Sequence, residues 1–176
     1  METNQGKIAV QKITILYFLQ KAQMRILEKR LIEATAELEL MDYFDLQTNL
    51  HDMLENHLVL QQEAVNGKFF SITEVGETTL AFFEKEMLYS VRTKIETYCA
   101  ENAREMRLES NLHAEYVRIA EAQYRVMLRM IENDVAVFEM TFFAASREEA
   151  DQYVTAWRNK AMDVYRIMFE TLLEEK

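Results

Sequence analysis

The side chains in this sequence that group in a way chemistry would need are built for hydrogen bonding. Gln47, Thr48, Asn49 and His51 lie on one short stretch, and Lys68 follows after an Asn-Gly pair. Carried on a helix, side chains of this kind can reach the donor and acceptor edges of base pairs, Gln pairing best with adenine. A Lys on an exposed turn can meet a phosphate oxygen. These five residues are the candidate nucleic-acid contacts. They equally suit a solvated polar surface that touches no nucleic acid, with Lys68 keeping a turn soluble.

Other chemistries find less support. His51, His57 and His113 lack metal-ligand spacing with one another or with Cys99. No Gly-rich phosphate loop, H-E-x-x-H or G-x-S-x-G motif occurs. Carboxylates are plentiful but follow solvated helix faces. Neither catalysis nor a metal nor a cofactor is expected. Cys99 reads as a small buried hydrophobe. Arg125 and Arg129 share one face of a strand candidate. They either bind an anionic effector or pair across strands with acids such as Glu109 or Glu139.

The elements that must position the five candidates can be read from local signals. Asp45 is a good N-cap for a helix running to His57, whose Leu46, Leu50, Met53 and Leu54 recur at helical spacing. Strands follow at Leu58–Gln62 and Lys68–Ile72. Asn66-Gly67 between them tolerates the positive φ of a type I′ hairpin turn. Thr73 caps the next helix. Upstream, helices are expected over Lys7–Lys21 and Ile26–Ala36, with Leu38–Phe44 as a short extended piece. This order is that of a winged helix-turn-helix over residues 1–75, in which the helix from Asp45 would enter the major groove.

Downstream, one long helix is expected from Thr73 to Cys99, striped by Leu80, Phe83, Met87, Val91, Ile95 and Tyr98. Phe82, Leu88 and Tyr89 lie off that stripe, so residues 76–100 read as a connecting or dimerisation helix. Residues 101–176 then form an α+β dimerisation or effector domain. Its strand candidates are Leu108–Tyr116, Gln123–Ile131 and Val135–Ala144, joined by the short connectors Arg118–Ala122 and Glu132–Asp134. These make an antiparallel meander. A final helix starts at Ser146, where Ser146 and Glu149 form a capping box. Its apolar face, from Ala150 through Trp157 to Leu172, would cover the meander. The fold class is α+β.

Composition sets bounds on partners. The 176 residues carry a net charge of −10, which weakens non-specific attraction to phosphate. Residues 1–60 hold six basic against nine acidic residues, and no Arg or Lys lies between Asp45 and Gly67. Phosphate attraction would have to come from Lys7, Lys12, Arg25 and Lys68, or from a second protomer. One Cys excludes an internal disulfide and suits the cytoplasm. The N-terminus lacks a signal-peptide pattern, and no apolar run approaches the roughly 20 residues that span a bilayer.

The chain resembles a family of bacterial winged-helix proteins known as domain of unknown function 4364. The resemblance rests on ITILYFLQ at 13–20, DYFDLQTNLHDMLENHLV at 42–59, FFSITEVGETTLAFF at 69–83 and REEADQYVTAWRNKAMDVY at 147–165. It implies a regulator-like protein. Two features depart from the pattern: no Pro stands between the first two helices, and the third helix is acidic. The expected function is a cytoplasmic, homodimeric, DNA-binding transcriptional regulator. The alternative is a protein–protein interaction module whose winged helix no longer binds double-stranded DNA. No membrane partner is expected, and a small-molecule effector is left open.

Overall fold

A computed structural model of the chain describes residues 4–64, 66–133 and 135–173. It divides into two compact units, one of residues 1–63 with 68–106, the other of residues 64–67 with 107–176. The first unit contains helices α1 (Asn4–Ala22), α2 (Glu28–Glu37) and α3 (Tyr43–Glu55), with the two-residue strand β1 (Ile26–Leu27) between the first two. Strands β2 (Val59–Ala64) and β3 (Gly67–Ile72) follow, and the antiparallel partner of β3 on its other side is β1, giving the order β1-β3-β2. Gly67 has φ 132°, which an L side chain rarely adopts. Val65, inside the expected turn, lies outside the described residues.

Helix α1 is the pillar of this unit. Ile13 and every residue from Ile15 to Leu19 are buried, against α3 on one side and the next helices on another. A helix apolar on all sides belongs in an interior. Its first turns differ: Ile8 and Val10 are exposed.

The continuous helix expected from Thr73 to Cys99 is broken. Helix α4 (Glu74–Phe83) passes through a 3₁₀ turn at Glu84–Glu86, and α5 (Tyr89–Glu101) begins after two extended residues. Met87 has φ −73°, ψ 140° and Leu88 φ −61°, ψ 137°. No Gly or Pro marks the break. Packing does: it lets both helices lie against α1 and turns Met87 into the core at 4 % exposure. Local helix propensity yields to burial here. Phe82, Leu88 and Tyr89 remain exposed at the break.

The second unit is the expected meander under a long helix. Helix α6 (Ala103–Ser110) leads into β4 (Leu112–Ala120), β5 (Gln123–Glu132) and β6 (Val135–Ala144), ordered β4-β5-β6 and antiparallel throughout. Leu108, expected on the first strand, lies in the last turn of α6 instead and is buried at 1 %. Two-residue connections are tighter than expected, with Ala122 at φ 51° and Asn133 at φ 51°. Helix α7 (Arg147–Leu173) covers the face carrying Val126, Leu128, Met130 and Phe138. Its cap is Ser146, whose hydroxyl accepts from the Glu149 N–H at 3.1 Å; the Glu149 carboxylate accepts from the Ala145 N–H at 2.7 Å. Arg129 pairs across the strands with Glu115; Glu109 sits on α6, and Glu139 lies opposite Arg129 in the β5–β6 register. Toward its C-terminal end α7 leaves Ile167, Leu172 and Leu173 exposed.

Candidate nucleic-acid interface

Helix α3 starts three residues before the expected position because Asp42, not Asp45, is its cap. The Asp42 carboxylate accepts from the Asp45 backbone N–H at 2.8 Å. That shift absorbs Tyr43 and Phe44, expected to be extended, into the first helical turn. It also frees the Asp45 side chain for other work. At the far end the helix stops at Glu55, and His57 takes φ 55° just beyond it.

The exposed side of α3 is Phe44, Thr48, His51 and Glu55, spaced to share one face. Phe44 is 79 % exposed and Tyr43 53 %, their rings edge-to-face at 5.6 Å. Thr48 and His51 are thus exposed side by side on that face. His51 Nε2 lies 3.5 Å from Glu55 Oε1. Gln47 is only partly exposed and donates to Glu28 Oε1 of α2 at 3.0 Å. Asn49 is the clear exception among the candidates. It is buried at 3 % and holds α3 against α1, so it has no surface to offer a base. Lys68 is exposed at the start of β3.

The acids of α3 are answered by α1. Asn49 Nδ2 donates to Gln11 Oε1 at 3.1 Å, and Gln11 Nε2 donates to Asp45 Oδ2 at 2.6 Å. The same Asp45 oxygen accepts from Lys7 Nζ at 2.9 Å. Two turns on along α3, Lys12 pairs with Asp52. Hydrogen bonds from Lys7 and then Gln11 hold the Asp45 carboxyl below the usual Asp value, and the bond to Asp45 raises Lys7 above the usual Lys value. These side chains line an open pocket of about 380 Å³ between α1 and α3, with Thr48 at its margin. The arrangement has two consequences: α3 carries less uncompensated negative charge than its sequence implies, and Lys7 and Lys12 are not free to meet phosphates. Arg25 is also engaged, stacked over the Phe69 ring at 4.8 Å.

Behind α3, the hairpin and α4 are fixed by one residue. Thr73 Oγ1 donates to the His57 carbonyl at 2.6 Å and accepts from Gly76 N–H at 3.0 Å, while Thr73 N–H donates to the Leu58 carbonyl at 3.2 Å. This is the cap the sequence marks.

The model of the family described as domain of unknown function (DUF4364) matches residues 11–172. The chain belongs to this family. Its match runs through both units and takes in the Gln11 and Lys12 contacts with α3 and the α7-covered sheet, while Lys7 lies outside it. No curated protein and no solved structure matches the chain.

Sequence reasoning missed Tyr43 and Phe44 as surface residues and the two Lys–Asp pairs. The first had a readable signal, since Asp42 with Asp45 three residues later has the spacing of a helix start. The pairs had none, because Lys7 and Asp45 are 38 positions apart. Among the described residues no group of His, Cys, Asp and Glu could hold a metal ion, and no helix is long and apolar enough to cross a membrane.

Proposed function

We propose that about residues 7–75 form a winged helix-turn-helix that binds double-stranded DNA, and that the chain acts as a homodimeric regulator. One observation carries this reading. The short strand between α1 and α2 pairs with β3 in the order β1-β3-β2, and Thr48 and His51 of α3 are exposed. Theirs is the side a recognition helix turns to the major groove. Thr48 and His51 are the base-edge candidates, and Lys68 on the hairpin is the phosphate contact. Exposed Phe82, Leu88 and Tyr89 at the α4–α5 break supply an apolar surface for the second protomer.

Fluorescence anisotropy with a random 20-base-pair duplex tests the proposal. Binding is expected at ~20 mM salt and weakens as salt rises, with a shallow slope because few free cations face the groove. Lys68→Ala should reduce that slope by about 0.9. Absence of binding at ~20 mM salt with ~100 µM protein rejects the DNA reading. The exposed Tyr43–Phe44 pair favours a second reading, a protein-docking winged helix. In that case Phe44→Ser abolishes partner capture while duplex binding is absent throughout.

A further inference from the structure

The sheet β4-β5-β6 has two edges, and they are not alike. An edge strand offers a row of unpaired backbone N–H and C=O groups, and folded chains blunt such edges with charges and bulges. Strand β4 has both, with Glu115 and Arg118 on it and a register irregularity between Arg118 and Ala120. Strand β6 has one charge, Glu139, in VAVFEMTFFA, and among the described strands its one neighbour is β5. Its register with β5 runs without interruption from Phe138 opposite Met130 to Ala144 opposite Tyr124. Thr141 is the midpoint of that stretch.

We propose that β6 pairs antiparallel with β6 of a second copy about a twofold axis through Thr141, joining two sheets into one of six strands. Each residue before Thr141 then meets the partner residue an equal number of places after it. Phe138 meets the partner's Ala144, large against small. Met140 meets the partner's Phe142, a favourable contact of sulfur with an aromatic ring. Thr141 meets its own copy, a pairing that sheets favour. Glu139 comes opposite the partner's Phe143, and the partner's Arg125 is next in that row, because Arg125 lies opposite Phe143 in the β5–β6 register.

Charge selects this register and this occupant. Strands two apart are about 9–10 Å from one another, a gap that the side chains of Arg and Glu span together, the guanidinium crossing the Phe143 ring. Arg125 and Glu139 are both exposed, and among the described residues neither is hydrogen-bonded or ion-paired. The twofold brings these unused opposite charges together twice. A register centred on Glu139 would set like charges face to face. One centred on Met140 would place Glu139 against the partner's Thr141, with no cation in the row. The axis is normal to the sheet, so both copies of α7 lie on one face of it. A groove of about 380 Å³ lies beside this edge, between Met140 and Phe142 of β6 and Ala156, Lys160 and Val164 of α7. The partner's Phe142 comes against its Met140 wall. With β4 blunted, pairing closes at two copies. The seam uses the second unit alone and stands whether or not α3 binds DNA or the α4–α5 break pairs.

Thr141→Cys in the full-length chain tests the register. Opposed residues of an antiparallel pair have Cα atoms about 4.5–5.5 Å apart, within the range that a disulfide bridges. Mild oxidation should give a covalent dimer at least ~tenfold faster than for Val117→Cys, an exposed position on β4. Sedimentation tests the charges. Glu139→Arg and Arg125→Glu should each halve the assembly mass at ~20 µM, with circular dichroism unchanged because both positions are exposed. The double variant R125E/E139R restores opposite charges and should restore the mass. The proposal is overturned if Thr141→Cys crosslinks no faster than Val117→Cys, or if the double variant stays dissociated. A monomeric natural chain also overturns it, leaving the edge to a strand of another protein. So does a mass halved by Leu88→Ser and not by Glu139→Arg, since copies then meet at the α4–α5 break alone.

Discussion

Gly76 sits where helix α4 meets the carbonyl of Leu58, and replacing it with Ala should destabilise the first unit. A Cβ built there would lie 2.2 Å from the Leu58 oxygen, 2.9 Å from Ile72 Cγ1 and 3.1 Å from Leu16 Cδ2. Side chains can yield by tenths of an ångström, but the carbonyl is backbone. Ordinary contact begins at 3.4 Å, so the helix start must retreat by about 1.2 Å (3.4 minus 2.2). That movement stretches the Thr73 N–H bond to Leu58, now 3.2 Å, and the Thr73 hydroxyl bond to His57, now 2.6 Å. Losing two hydrogen bonds costs about 1–3 kcal/mol, and crowding of Leu16 and Ile72 adds about 1 kcal/mol or more. Against this, Ala gains at most about 1 kcal/mol in helix propensity. The net expectation is a loss of about 1–3 kcal/mol. Urea unfolding followed by far-UV circular dichroism measures it, and amide exchange around residues 58–80 localises it. Thr78→Ala, on an exposed turn of the same helix, is the control and should stay within about 0.5 kcal/mol. Equal stability of Gly76→Ala and the natural chain would refute the close approach and the joint built on it.

Two further expectations concern titration. Asp45 is held below its usual 3.8, so its contribution is present above that value and is lost as pH falls through the lowered one. Lys7 is held above its usual 10.5, so its contribution is full below 10.5 and is lost as pH rises through the raised one. The stability difference between the natural chain and Lys7→Met should therefore be flat near neutrality and shrink at both extremes; a difference unchanged down to pH ~2 would contradict the pairing. Burial raises the Cys99 thiol from 9.0 to about 11, making thiolate about a hundredfold scarcer at pH ~8. A disulfide reagent should modify Cys99 at least that much more slowly in the folded chain than in urea, and rapid native labelling would show the thiol to be accessible.

Legibility from sequence followed the range of the interactions. The Thr73 cap, the Ser146 start of α7 and the three strands were readable because their signals lie within a few residues. Helix α3 was misplaced at its start because two aspartates three positions apart competed for one cap and both fit the spacing. The break at Met87 was invisible, since nothing in EKEMLY forbids a helix; the gain from packing both α4 and α5 on α1 decides it. Asn49 was misassigned for a related reason. A polar residue between Leu46 and Leu50 looks exposed unless its buried partner, Gln11, is known. Charge balance on α3 was likewise unreadable: Asp52 looks like a phosphate-repelling acid until Lys12, 40 positions away, is placed against it.

The Thr73 joint has a mechanical consequence. One side chain holds the residue just past α3, the root of the hairpin and the first turn of α4. A tug on α3 along its axis cannot be absorbed by the loop that follows it, because that loop is riveted to the next helix. Displacement would instead pass into α4 and reach the extended pair at Met87 and Leu88, where the helical dihedral angles are interrupted. Its exposed flank is Leu88 and Tyr89. Load applied at α3 would be felt there first.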